Sequence, residues 1–187
     1  MKKIGQFIYP WGNGHFSRMM RLNDVLGDII NDEIEMHFFS KGDILEKLYK
    51  KFPTKKENIH EVLMPTPIDG KFGPSVKLSM FNLLLPVSDN RPLVTQISNY
   101  LKEERKFFDH FKFDLVINDG DMGSNVLAHN RNITSLFVTN QFKPKLWKSR
   151  LYFKPALSFI AKQIAKATKI IVCLLYTSPS PRDGLLS

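Results

Sequence analysis

The chain has 187 residues, of which 43% are hydrophobic and 24% are charged, and this composition fits one globular domain with its own core. No apolar run reaches the roughly 18–20 residues that a membrane-spanning helix needs, and Pro10 and Gly12 interrupt the apolar N-terminus too early for a signal peptide. The single cysteine, Cys173, excludes an internal disulfide, and we expect a cytoplasmic location.

Predicted strands and helices alternate along the chain. Apolar runs predict strands at 3–9, 34–40, 59–64, 114–118, 135–139 and 170–172. Helical spacing predicts helices at 17–26, 43–52, 92–111, 122–129 and 155–168. Residues 65–92, rich in Pro and Gly, predict a long loop with one or two helical turns. This order predicts a Rossmann-like α/β fold, a doubly wound parallel sheet whose ligands bind beyond the carboxyl ends of the strands.

The C-terminal residues 173–187 depart from this pattern and are rich in Ser and Pro. The run from Cys173 to Asp183 resembles one reading frame of a common transposase sequencing adaptor. A disordered tail is the alternative interpretation. We therefore predict one domain over residues 1–172, in an open reading frame cut short near Val172, followed by an artefactual or disordered tail.

The loop after the first predicted strand reads W-G-N-G-H-F-S. Gly12 and Gly14 allow a tight turn and the close approach of a ligand, and we predict that they bind substrate together with Asn13. The loop lacks the third glycine of the dinucleotide-binding fingerprint. His15 is placed at the carboxyl end of a strand, where an imidazole can take a proton from a hydroxyl near neutral pH. A loop or helix-capping histidine is the structural alternative.

Two aspartates flank Gly120 in the fourth predicted strand and its exit, D-L-V-I-N-D-G-D. Asp121 precedes a helix, where aspartate caps free N–H groups, and we also count it among the predicted substrate-binding residues. Asp119 is placed where a buried carboxylate can orient a histidine on the neighbouring loop. No His or Cys accompanies the pair at ligand spacing, so we predict no metal site. His37 is predicted to be a core or edge histidine, and His60 is predicted to have no partner.

Together, the G-N-G-H loop and the D-L-V-I-N-D strand resemble the N-terminal domain of GT-B glycosyltransferases, most of all the MurG-like and UDP-glucuronosyltransferase-like branch. The resemblance covers residues 1–172. It implies that His15 is the base that activates the acceptor and that Asp119 orients it. MurG-like members have a fuller loop, G-G-T-G-G-H, in which Trp11 and Asn13 replace two positions here. The donor-binding motifs of the family lie in a C-terminal domain, and nothing in this chain matches them.

The resemblance implies a truncated glycosyltransferase that moves a sugar from a nucleotide-diphosphate sugar to an acceptor hydroxyl, with inversion and without metal or other cofactor. The donor would bind through the missing C-terminal domain, so the fragment is expected to be inactive on its own. Two alternatives stay open. UDP-N-acetylglucosamine 2-epimerases share the GT-B architecture, and a basic module can bind a membrane or nucleic acid without catalysis.

The net charge of +9 is confined to one segment of the chain. Residues 1–121 contain 17 basic and 17 acidic residues, whereas residues 122–172 contain nine basic residues and no acidic one. The neutral first part counts against nucleic acid, which we do not expect as a partner. Asn140, after the fifth predicted strand, is predicted to bind substrate.

Large aromatic and aliphatic side chains alternate with cations across residues 142–169. One interpretation is a core-packing helix with a solvated basic face. The other is a surface that lies on anionic lipid, with Trp147 at the headgroup level and Lys145, Lys148 and Arg150 around it. A peripheral position on the inner face of the membrane would suit a lipid-linked acceptor.

Overall fold

The computed structural model describes residues 1–27, 33–66, 68–70, 73–82, 84–87, 90–139 and 154–172. The main feature is a six-stranded parallel sheet with helices on both faces. The doubly wound α/β fold predicted from the sequence is therefore confirmed. Within these ranges, no helix is both long and apolar enough to cross a membrane.

The strands and helices are numbered in chain order. The strands are β1 (Lys2–Ile8), β2 (Ile34–Ser40), β3 (Ile59–Glu61), β4 (Asp69–Gly70), β5 (Gly73–Pro74), β6 (Leu115–Asp119), β7 (Thr134–Thr139) and β8 (Lys169–Val172). The helices are α1 (Asn13–Gly27), α2 (Gly42–Lys51), α3 (Val76–Phe81), α4 (Leu93–Phe111), α5 (Met122–Asn130) and α6 (Lys154–Ile164).

The sheet order is β3-β2-β1-β6-β7-β8, and all neighbours are parallel. The chain builds outward from β1 to β3 on one side and then crosses to β6 on the other. This reversal places a topological switch point between β1 and β6, where ligands bind in open α/β sheets.

Element limits differ from the sequence predictions where they matter for the site. Helix α1 begins at Asn13 rather than at the predicted Ser17, so His15 lies in its first turn. Asn13 and Gly14, which open the helix, both have low intrinsic helix propensity. The predicted loop at 65–92 contains the antiparallel β4–β5 pair and α3, and its predicted helical turns are confirmed.

The two faces of the sheet carry separate apolar clusters. On one face, α1 and α2 contribute Met19, Met20, Ile44 and Leu48. On the other face, α4 and α5 contribute Tyr100, Phe108, Leu127 and Ala128. Because apolar helix faces cover both sides, the strands read as continuous apolar runs rather than as alternating ones.

Stacked rings fill the second face next to β1. Phe7 and Phe39, on neighbouring strands, stack with their ring centroids 4.4 Å apart. Phe113 meets both rings edge-on. A Cβ at Gly5 would lie 3.1 Å from the rings of Phe113 and Phe7, so the absence of a side chain there lets these rings lie against the strand.

The prediction that His60 has no partner was wrong. His60 Nε2 lies 3.1 Å from Nδ1 of His37, and the His60 ring stacks on Phe39. Burial, together with the charges of His37 and His110, lowers the pKa of His60 to about 4. Burial also lowers the pKa of His37, which is a core residue as predicted. Near pH 7 the two neutral imidazoles can therefore share one hydrogen bond.

Candidate active site

The switch point brings the ends of β1 and β6 together. Ile8, the last residue of β1, pairs in register with Asp119, the last residue of β6. The N–H of Tyr9 then donates to the carbonyl of Asp119 at 3.0 Å, which holds the β1 exit against β6. The first turn of α1 therefore lies beside the Asp119 side chain.

His15 and Asp119 are in contact. His15 Nδ1 lies 2.7 Å from Asp119 Oδ1, and the carboxylate has no exposed surface while the imidazole is 22% exposed. An ionised carboxylate only accepts hydrogen bonds, so a hydrogen bond between these two atoms requires the tautomer of His15 that carries its proton on Nδ1. Nε2 is then the unprotonated nitrogen, and this is the tautomer that can act as a base.

Arg18 is the member of this site that sequence reasoning missed. Its Nε donates to Asp119 Oδ2 at 2.8 Å and its Nη2 donates to Asp119 Oδ1 at 2.7 Å, a two-point fork on the carboxylate. The side chain is 7% exposed. The available signal was spacing: Arg18 follows His15 by three residues, which places both side chains on one face of a helix once α1 is extended back to Asn13.

The backbone conformation at position 120 and the side chains around it both require a glycine. Its φ of +81° lies in the left-handed region that glycine adopts without strain. A Cβ at this position would come within 2.8 Å of His15 Cε1 and 3.0 Å of Tyr9 Cβ. The glycine between the two aspartates therefore makes room for the imidazole to approach Asp119.

Tyr9 packs against the ring of His15. Its ring meets the His15 ring edge-on, with centroids 5.6 Å apart, and its hydroxyl donates to the carbonyl of Pro65 at 2.8 Å. Burial, with the charge of Asp121, raises the pKa of the Tyr9 phenol, so the ring stays neutral. Tyr9 thus ties the segment after β3 to the same site.

The predicted glycine-rich loop lies at the exposed N-terminus of α1. Gly12 has φ +78°, Asn13 begins the helix, and Gly14 is exposed. The Asn13 side-chain oxygen accepts a hydrogen bond from Lys47 on α2. The structure brings these three residues next to His15, and their contact with substrate stays a prediction. The predicted residues Asn140, Lys145, Trp147, Lys148 and Arg150 lie outside the described residues.

Asp121 has the capping role that the sequence favoured. Its two carboxylate oxygens accept from the N–H groups of Gly123 and Ser124 at the start of α5, at 3.2 and 2.9 Å. The side chain is buried and also contacts the side chains of Tyr100 and Glu104. Contact between Asp121 and substrate stays a prediction.

A second buried carboxyl group lies near this cap. Glu104 on α4 has no exposed surface and accepts a hydrogen bond from the Tyr100 hydroxyl at 2.5 Å. Burial, reinforced by the charge of Asp121, raises the pKa of Glu104 well above its usual range. Burial and the charges of Asp121 and Glu104 also raise the pKa of the Tyr100 hydroxyl. In the ranges that the structure describes, no group of three His, Cys, Asp or Glu side chains is arranged to hold a metal ion.

Strand order, switch point and the polar site beside it define a Rossmann-like α/β domain. No family model and no curated protein matches the chain. Among solved structures, MurG of Acinetobacter baumannii matches with a TM-score of 0.56 and 13% identity, over 96% of this chain and 43% of MurG.

Two further solved structures show the same likeness. A putative UDP-N-acetylglucosamine 2-epimerase from Listeria monocytogenes matches with a TM-score of 0.58 and 12% identity, over 92% of this chain and 39% of that one. A UGT transferase from Siraitia grosvenorii, in complex with UDP, matches with a TM-score of 0.51 and 15% identity, over 92% and 44%. The chain therefore has the fold of one half of a GT-B protein, and it spans about two fifths of the length of these neighbours.

The raised pKa of Glu104 predicts a pH-dependent stability. A group whose pKa is higher in the folded state contributes fully below its unfolded pKa, and this contribution is lost as pH rises through the folded pKa. We expect Glu104→Gln to gain stability relative to the original chain as pH rises above 4.5, the ordinary pKa of the carboxyl group. One pKa unit corresponds to about 1.4 kcal/mol, and each kcal/mol to about 2–4 °C in Tm for a chain of this size.

Thermal unfolding followed by circular dichroism from pH 5 to 9 measures this difference. The matched control is Glu103→Gln, which changes a partly exposed neighbour on the same helix that pairs with Lys106. The control should follow the original chain at every pH. Parallel curves for Glu104→Gln and the original chain would contradict the prediction.

Proposed function

We propose that this chain is the acceptor-side half of a GT-B glycosyltransferase and that His15 is its catalytic base. The observation that carries the proposal is the contact of His15 Nδ1 with the buried Asp119 carboxylate at the switch point between β1 and β6. This contact leaves Nε2 free to accept a proton in a region where α/β sheets bind ligands.

In the proposed reaction, Nε2 of His15 takes the proton of an acceptor hydroxyl. The acceptor oxygen forms a bond to the anomeric carbon of the sugar, and the bond from that carbon to the nucleotide diphosphate breaks. The electron pair of the broken bond leaves with the diphosphate. Asp119 accepts the hydrogen bond from Nδ1 and so holds the imidazole in the orientation and tautomer that leave Nε2 as the base. The proposed donor is a nucleotide sugar held mainly by a second domain that follows residue 172.

A second candidate function is epimerisation of UDP-N-acetylglucosamine, because the fold likeness extends to a 2-epimerase as well as to a UGT transferase. An epimerase acts on the nucleotide sugar by itself, whereas a transferase needs an acceptor. The His15–Asp119 pair favours transfer, since it provides one base suited to a hydroxyl proton.

The role of His15 predicts a specific loss of rate. In the enzyme extended by its donor domain, His15→Ala should lower kcat by about 10²–10⁴, the usual range for loss of a general base. Asp119→Asn should also lower kcat, because the imidazole loses the partner that sets its tautomer. The control is His129→Ala, an exposed position on α5. Undiminished turnover in a His15→Ala enzyme that still binds acceptor would remove His15 from the mechanism.

Product identity separates the two candidate functions. The extended enzyme is incubated with UDP-N-acetylglucosamine, with and without a panel of acceptors, and the sugar products are identified by NMR. We expect UDP release only when an acceptor is present, and no turnover by residues 1–172 alone. Formation of the C2 epimer without acceptor would establish the epimerase instead. Transfer by residues 1–172 alone would overturn the requirement for a second domain.

The basic segment between Arg131 and Lys169 suggests that the acceptor lies at a membrane surface. We propose a lipid-linked acceptor reached from an anionic membrane surface, because the whole excess charge lies between Arg131 and Lys169. Each cation near an anionic surface contributes about 1 kcal/mol, and salt weakens the attraction. Several cations with one inserted aromatic residue give reversible binding. The described part adds exposed apolar side chains at Phe81, Leu84 and Leu85.

Vesicle co-sedimentation tests this surface. The chain should sediment with vesicles of phosphatidylcholine and phosphatidylserine, much less with phosphatidylcholine alone, and high salt should release it. Trp147→Ala combined with Lys145→Glu and Lys148→Glu should abolish the binding. Loss of binding in Leu84→Ser but not in that triple variant would move the contact to the segment after α3. Equal and negligible binding to both vesicles would favour a soluble acceptor.

A further inference from the structure

Three polar atoms form a closed triangle at the centre of the site. Asp119 Oδ1 lies 2.7 Å from His15 Nδ1 and 2.7 Å from Arg18 Nη2, and these two nitrogens lie 3.0 Å apart. The oxygen can only accept and the guanidinium can only donate. The role of His15 Nδ1 in the triangle therefore depends on the tautomer of the imidazole.

The guanidinium holds the carboxylate in place. Arg18 occupies both oxygens of Asp119 with parallel hydrogen bonds, so the carboxylate cannot rotate away from the histidine. A buried charge without a partner is costly, and Asp119 has no exposed surface. Arg18 therefore supplies a countercharge to the buried Asp119 carboxylate.

The same guanidinium acts on the charge of His15. Protonated His15 would place a second cation 3.0 Å from Nη2, and the opposing charges of Arg18 and Asp119 would largely cancel at the imidazole. In the described part of the chain, the groups that face His15 are Arg18 from α1, Asp119 from β6 and the neutral Tyr9 at the end of β1. A dyad of His15 and Asp119 without Arg18 would instead favour the imidazolium before any substrate arrives.

We propose that Arg18 is a positioning residue that clamps Asp119 against His15 and opposes a positive charge on the imidazole, so that Nε2 is available as the base. This inference rests on the proposed function for its catalytic meaning. Its physical content is a property of the resting chain and can be measured without donor or acceptor. Arg18 then acts through Asp119 and His15 rather than on the substrate.

The test is an NMR titration of His15 in the chain of residues 1–187. Two-dimensional ¹H–¹⁵N spectra of the imidazoles report both the pKa and the tautomer, and the signal is assigned by its loss in His15→Ala. Arg18→Met should raise the pKa of His15 by about one unit, a tenfold change in proton affinity. Arg18→Lys keeps the charge but loses the fork, so it should leave the pKa much nearer to that of the original chain.

The chain offers a matched control for the loss of an arginine. Arg131 Nη2 pairs with Asp109 Oδ1 at 2.7 Å on the surface, the same distance as in the Arg18 pair. Arg131→Met should leave the His15 titration unchanged. If Arg18→Met fails to fold because Asp119 is left unpaired, Asp119→Asn is compared with Arg18→Met combined with Asp119→Asn. The double variant should then show the higher His15 pKa, since only the single variant retains the opposing guanidinium.

Equal His15 pKa values within each compared pair would overturn the inference and leave Arg18 as a structural countercharge. A resting His15 with its proton on Nε2 would overturn it as well, because the fork would then not preserve the base. Neither outcome touches the proposed function, which depends on the turnover of His15→Ala enzyme. Conversely, absence of glycosyl transfer by the extended enzyme would remove the function and leave the titration result standing.

Discussion

The negative charge of Asp119 is the constraint on which the candidate site depends. The carboxylate has no exposed surface at the end of a central strand, so the chain must compensate its charge from within. Arg18 provides the compensation, and it can do so only because α1 starts early enough to place both Arg18 and His15 over the end of β6. Gly120 then leaves the space in which the imidazole approaches. The site around this one buried charge therefore depends on the early start of α1, on Arg18 and on Gly120.

Sheet topology supplies the meeting point for these residues. His15 and Asp119 are separated by 104 positions in sequence, yet the parallel pairing of β1 with β6 brings their strand ends side by side. Apolar clusters on both faces hold that pairing, so the site rests on the most deeply buried strands of the domain. The polar groups lie at the carboxyl ends of these two central strands, where water can reach the imidazole but not the carboxylate.

Much of the architecture could be predicted because buried parallel strands have continuous apolar sequences, such as those around Phe7 and Ile117. The dyad could be predicted because strand ends are predictable in such a sheet. The role of Arg18 could not be predicted, because it depends on α1 starting at Asn13. Asparagine and glycine have low helix propensity, so the sequence gives no sign of this early start. The His37–His60 contact was missed for a related reason: it depends on the register of β2 with β3, which apolar pattern alone does not specify.

The aromatic stack over Gly5 gives the folded chain a magnetic signature. The α-protons of Gly5 sit against the rings of Phe7 and Phe113, whose ring currents displace nearby proton resonances from their random-coil positions. The stack lies on the opposite side of β1 from the cluster to which α1 contributes. A displaced glycine resonance would therefore report an intact core in any site variant, so that a change in imidazole titration can be separated from a loss of packing in one spectrum.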